Sequence, residues 1–182
     1  MRLSLLPHPD TPSASVKHVE VEARRSATDE LSVLYRVHGA VGALRLPSIG
    51  APRRAEDLWR TTCFEAFVRP AGGDAYWEFN FAPSAAWAAY GLSDYRVGLE
   101  PALEVSEPMF VDRVAPDLYE LDVTADLGRL PALRGAGRWE VALSVVIEDR
   151  AGDIAYWALA HPPGKPDFHH PVGFALDLPP AD

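Results

Sequence analysis

Residues 139–161 read WEVALSVVIEDRAGDIAYWALAH, and their pattern decides the fold. Trp139, Val141, Leu143, Val145 and Ile147 fall on one face of an extended chain. Glu140, Ala142, Ser144, Val146 and Glu148 fall on the other, which is the two-residue period of a β-strand. The stretch EDRAGD at 148–153 is rich in turn residues, so the segment predicts a β-hairpin.

The same period recurs outward from this hairpin. VKHVEVEAR aligns Val19, Val21 and Ala23 against His18, Glu20, Glu22 and Arg24, and LSVLYRV aligns Leu31, Val33, Tyr35 and Val37. CFEAFVRP, DAYWEFNF, PMFVDRV, LYELDVT and GFALDL read as further strands. Arg69–Asp74 is a second hairpin turn, and the 17 prolines and 13 glycines are spread along the chain as turn punctuation. About nine or ten strands at this spacing predict an all-β, antiparallel β-sandwich over residues 1–182, one domain with an irregular segment at 1–14. SAAWAAYG at 84–91 reads either as a short helix capped by Ser84 or as a strand with Trp87 directed inward. Residues 127–138 read as a loop.

Charge narrows the partners. A net charge of -9 repels a phosphate backbone, and the 17 basic residues form no stripe, so nucleic acid is not expected. No stretch has the length of a membrane span, and the early apolar residues are broken by Pro7 and Pro9, so neither a membrane nor a secretory leader is expected. The lone cysteine, Cys63, requires no oxidising compartment, which makes the cytoplasm the expected location.

The most unusual stretch is DLWRTTCFEAFVRPAGGDAYWEFNFAPSAAWAAY, residues 57–90. It gathers Trp59, Trp77 and Trp87 with Glu65, Glu78 and Asn80. Alternation puts Cys63, Glu65 and Phe67 on one face of the first strand and Tyr76, Glu78 and Asn80 on one face of the second, with Trp77, Phe79 and Phe81 opposite. Carboxylates among so many rings need hydrogen-bond partners, or each costs several kcal/mol. One reading is a concave face where rings stack on a sugar while Arg60, Glu65, Glu78 and Asn80 bond its hydroxyls. The plainer reading puts the tryptophans in the core and the glutamates in water.

A second cluster, YWALAHPPGKPDFHHPVGF at 156–174, brings Trp157, His161, Lys165, Asp167, His169 and His170 into or beside a loop rich in proline and glycine. Asp167, His169 and His170 have the chemistry of metal ligands, but no spaced set completes a motif. Phosphate loops, zinc-protease motifs and serine-nucleophile elbows are absent, so an enzyme is not the favoured reading. Glu65 and Glu78 form a conceivable glycosidase pair, and Cys63 reads as a small buried hydrophobe.

LWRTTCFEAFVRP (58–70), YWEFNFAPSAAWAAY (76–90), LSVVIED (143–149), YWALAHP (156–162) and KPDFHH (165–170) resemble the DOMON-like, carbohydrate-binding module family 9-like group of bacterial proteins. Residues 1–30 and 96–135 match that group in character only. The resemblance implies a jelly-roll β-sandwich with a ligand site on a concave sheet or at its rim, and a non-catalytic binding role for a carbohydrate or similar polar small molecule. In the sugar-binding relatives aromatic rings hold the ligand, for which Trp59, Trp77, Trp87 and Trp157 are the candidates. The haem-binding relatives use methionine with histidine or lysine, so Met109 with His161, His169, His170 or Lys165 is the alternative. No resident cofactor is otherwise expected, and an exposed sheet edge would allow a homodimer.

Overall fold

Alternating apolar residues build every long strand of the computed structural model, which describes residues 2–181. Thirteen strands occur among the described residues, in chain order. They are β1 (Arg2–Pro7), β2 (Val16–Arg25), β3 (Glu30–Gly39), β4 (Arg53–Arg54), β5 (Cys63–Pro70), β6 (Tyr76–Phe81) and β7 (Ala86–Leu92). β8 (Glu100–Pro101), β9 (Met109–Val114), β10 (Leu118–Asp126), β11 (Trp139–Glu148), β12 (Ile154–Ala158) and β13 (Leu176–Leu178) complete the set. The expected nine or ten omitted the two-residue strands β4 and β8 and the amino-terminal β1.

Hydrogen bonding runs unbroken along β4-β7-β6-β5-β11-β12-β1-β2-β3-β10-β9, with β8 on β7 and β13 on β11. Among these pairs only β4–β7 is parallel. The sheet curls so that its two arms face each other, giving a half-barrel in place of two separate sheets. β1 is the join: Leu3 and Leu5 pair with Val21 and Val19 of β2, while Leu6 and Pro7 pair with Ala158 and Trp157 of β12. The irregular segment expected at 1–14 is therefore corrected. Its R-L-S-L alternation makes a strand, and Pro7 is tolerated at the strand end.

The core lies between the arms. Phe64 of β5 packs against Tyr35 and Tyr119 of the opposite arm, ring centroids 5.2 and 5.8 Å away. Phe81 meets Phe110 at 5.9 Å. The Tyr35 hydroxyl crosses the core to donate to the Glu65 carbonyl at 2.9 Å, which satisfies a buried polar group. At one end, the buried Arg25 guanidinium stacks 4.0 Å over Trp139. It also bonds Asp29 and the Ala136 and Gly137 carbonyls, pinning loop 127–138 to the sheet.

Residues 84–91 resolve as strand, not helix. Ala85 takes a left-handed turn (φ 64°), and β7 then pairs with β6 with Trp87 opposite Phe81 and buried in the core. The backbone bonds offered by β6 and β4 override the helical preference of alanine. Among the described residues no helix is long and apolar enough to cross a membrane.

Candidate binding site

The two arms differ in their outer faces. β2, β3 and β10 turn Glu20, Glu22, Arg36, His38 and Glu120 outward, linked by ion pairs such as Arg36–Glu22 at 2.6 Å. β5 and β11 are buried on both faces, because loops cover the outer side of their arm. A cavity of about 710 Å³ remains beneath those loops. Its size lies within the range of small-molecule sites.

Adjacent strands supply the floor. On β5 alternation sends Phe64, Ala66 and Val68 to the core and Cys63, Glu65 and Phe67 outward. On β6 Phe79 and Phe81 go to the core while Tyr76, Glu78 and Asn80 go outward. The register sets Glu65 opposite Asn80 on one side and Ser144 of β11 on the other, with Glu78 opposite Tyr90 of β7. Glu65 and Glu78 thus meet on the cavity floor, only 3% and 6% exposed.

Asn80 donates to Glu78 Oε1 at 2.6 Å and Ser144 donates to Glu65 Oε2 at 3.4 Å. Burial pushes the Glu65 carboxyl well above the usual carboxylate range, helped by the negative charge of Glu78. Burial also raises Glu78, opposed by the Asn80 bond and the attraction of Arg96. The buried Cys63 thiol is likewise held protonated by burial and by Glu65.

Three loops make the walls. The helical turn 58–60, entered through a left-handed Asp57 (φ 58°), presents Trp59, 49% exposed, with Arg60 stacked 4.8 Å from its ring. Loop 93–97 presents Arg96, whose guanidinium bonds Asp167 at 2.7 Å. Loop 159–175 presents Lys165, Phe168 and His169. Tyr90 and Tyr156 add rings from β7 and β12.

His169 locks its loop to the sheet. The Tyr76 hydroxyl lies 2.8 Å from His169 Nδ1 and accepts the Arg96 backbone N–H at 3.1 Å, so it is free to donate to the imidazole. The imidazole pKa is lowered from 6.5 to about 4, by burial first and then by Arg96, against the opposing pull of Asp167. His169 Nε2 lies 3.7 Å from Glu78 Oε2. With a neutral imidazole and a raised carboxyl, that approach is not an ion pair.

Of the residues singled out in the sequence, Trp59, Glu65, Glu78, Lys165 and His169 line the cavity. Asn80 supports the floor from beneath, and Asp167 holds Arg96 and accepts the His169 backbone N–H at 3.1 Å. Arg60 is drawn toward Asp57 at 3.2 Å. The stacking expected of Trp77, Trp87 and Trp157 is corrected: Trp87 and Trp157 are core residues, and Trp77 packs against the same core. His161 also lies off the cavity wall. Its Nε2 donates to the Leu6 carbonyl at 2.9 Å, its ring abuts His8 at 4.9 Å, and its Nδ1 is buried without a partner.

Met109 projects from edge strand β9 on the other arm and lines no part of this cavity, so pairing it with His169 or Lys165 around haem is corrected too. Among the described residues no three His, Cys, Asp or Glu side chains are grouped to hold a metal ion. The sequence reading missed Tyr90, Arg96, Tyr156 and Phe168. Tyr90 follows from alternation once β7 is a strand, whereas Arg96 and Phe168 sit in loops that carry no period.

No family model and no curated protein matches the chain. Solved structures do. One is a candidate carbohydrate-binding protein from Bacteroides uniformis ATCC 8492, with a TM-score of 0.64 and 17% identity over 98% of this chain and 85% of that one. Another is a carbohydrate binding module of family 9 from Caldicellulosiruptor kristjanssonii in complex with cellotriose, with a TM-score of 0.51 and 13% identity over 89% of this chain and 74% of that one. At these identities the likeness is one of fold: the chain has a fold similar to that of carbohydrate-binding modules.

Proposed function

We propose that this chain is a non-catalytic binding module for a carbohydrate or a sugar-containing small molecule. One observation carries the reading: a cavity of about 710 Å³ with carboxyl groups on its floor and aromatic rings around its mouth. A pyranose has the matching anatomy, with hydroxyls for acceptors and an apolar C–H face for a ring. Trp59 is the stacking platform, while Glu65 and Glu78 take the hydroxyls. A fold neighbour crystallised with cellotriose supports the same reading. On this reading the curled sheet is a jelly-roll variant related to DOMON-like domains.

Trp59 gives the test its readout, since Trp87, Trp139 and Trp157 are buried and Trp77 packs on the core. Acrylamide quenching of the exposed tryptophan should fall when a bound sugar covers it, with matching heat in calorimetric titration. A panel of neutral, amino and acidic mono- to trisaccharides giving neither heat nor protection would overturn the proposal.

A further inference from the structure

The pair of buried acids on the cavity floor indicates more than a generic sugar. Glu56, Asp57, Glu65 and Glu78 line the cavity, and Asp167 stands behind. Against these five carboxyls stand three cations, Arg60, Arg96 and Lys165. Arg60 is held by Asp57 and Arg96 by Asp167, so each of these cations is engaged by a carboxylate other than the floor pair. Among the described residues no cation lies within hydrogen-bond distance of Glu65 or Glu78. Glu78 Oε1 is taken by Asn80, but Oε2 has only the His169 ring at 3.7 Å. Glu65 is engaged by Ser144 through Oε2.

A buried acid pair aimed into a cavity calls for a donor-rich ligand group. Among the described residues no third His, Cys, Asp or Glu joins the pair in a metal-holding group. An ammonium needs less: three donors, no acceptor and one positive charge. Aromatic walls suit it too, because ring faces attract cations. Resting on the carbohydrate reading of the same cavity, we propose that its ligand is an amino sugar whose free ammonium is held between Glu65 and Glu78.

Binding is then coupled to protons. Burial raises both floor acids, and the charge of Glu78 raises Glu65 further, so the empty site favours their protonated forms. An incoming ammonium releases a proton from the pair, so affinity rises with pH until the amine itself loses its charge. Other groups facing the pair are Cys63 and Tyr76 from the sheet, Tyr90 and Arg96 from β7 and the loop after it, and Asp167 and His169 from the carboxy-terminal loop. Thiol and phenols stay protonated and the imidazole neutral at neutral pH, so the carboxyls carry the coupling.

Calorimetry of the full chain at pH 7 with three trisaccharides tests this: the β-1,4 glucosamine trimer, its N-acetylated counterpart and cellotriose. The amine form should bind at least tenfold tighter than the other two. Its apparent enthalpy should differ between buffers of low and high ionisation enthalpy, which reports the released proton. Glu65→Gln and Glu78→Gln, checked for folding by thermal unfolding, should erase the preference. Equal or tighter binding of cellotriose overturns the amino-sugar inference and leaves the carbohydrate reading standing. Binding of spermidine with no binding of any sugar overturns both the inference and the carbohydrate reading, as does the absence of all binding.

Discussion

Replacing His169 by glutamine should remove a specific part of the protein's sensitivity to acid. In the folded chain the imidazole pKa is lowered from 6.5 to about 4. An unfolded histidine takes its proton at the higher value. Between the two, the unfolded state binds more protons, so stability falls as pH drops from 6.5 toward 4 and is fully present above 6.5. Each unit is worth about 1.4 kcal/mol, which puts the loss at about 3 kcal/mol by pH 4 and about 2 kcal/mol at pH 5. For a domain of this size that is a fall in Tm of about 6–12 °C. His169→Gln loses the Tyr76 hydrogen bond and should start about 1 kcal/mol less stable at pH 7. Acidification should then hurt the variant less, and the two stability curves should converge and cross. Glu78 contributes with the opposite sign but is present in both proteins, so the difference between curves isolates the imidazole. Urea unfolding at pH 7, 5 and 4 measures it. Curves that stay parallel to within about 0.5 kcal/mol would refute the assignment of a buried, neutral His169.

Other substitutions separate core from site. Glu65→Gln should raise stability relative to the parent increasingly as pH climbs from the ordinary carboxylate range toward the raised value of the folded carboxyl: over that range the parent's folded state keeps a proton that its unfolded state loses, and the amide has no proton to lose. Urea midpoints of both proteins across that range decide it. Phe64→Ala opens the core between the arms and should cost about 3–5 kcal/mol, read as a lower Tm. Arg25→Met removes a buried cation from Asp29 and two carbonyls and should cost about 3–5 kcal/mol, with faster amide exchange in loop 127–138. Trp59→Ala should leave Tm within about 2 °C because the ring is half exposed, yet weaken sugar binding about tenfold or more by titration.

Much of this architecture was legible because one arm is solvated outside. In β2 and β3, polar residues alternate with Val19, Val21, Val33, Tyr35 and Val37, and a single register buries one set. The same logic was present in R-L-S-L at the amino terminus, but two nearby prolines obscured it. The floor of the site was legible for a related reason: period puts Glu78 and Asn80 on one face of their strand, the Arg69–Asp74 turn pairs that strand with the one bearing Glu65, and acids between aromatic runs are an anomaly that needs a cause.

The walls were not legible, and the reason is physical. β7, β11 and β12 are covered on both sides, so alternation separates their residues into two sets without saying which set meets the core. Trp157 and Tyr156 are adjacent and both aromatic. Only pairing decides that Trp157 enters the core and Tyr156 faces the cavity. Trp87 belongs to the core for the same reason, opposite Phe81. A fold in which one sheet face packs a core and the other a loop-roofed cavity thus conceals its binding rings among its structural ones. Carboxyls are the more reliable guide in such a chain, because a buried acid needs partners and a buried ring does not.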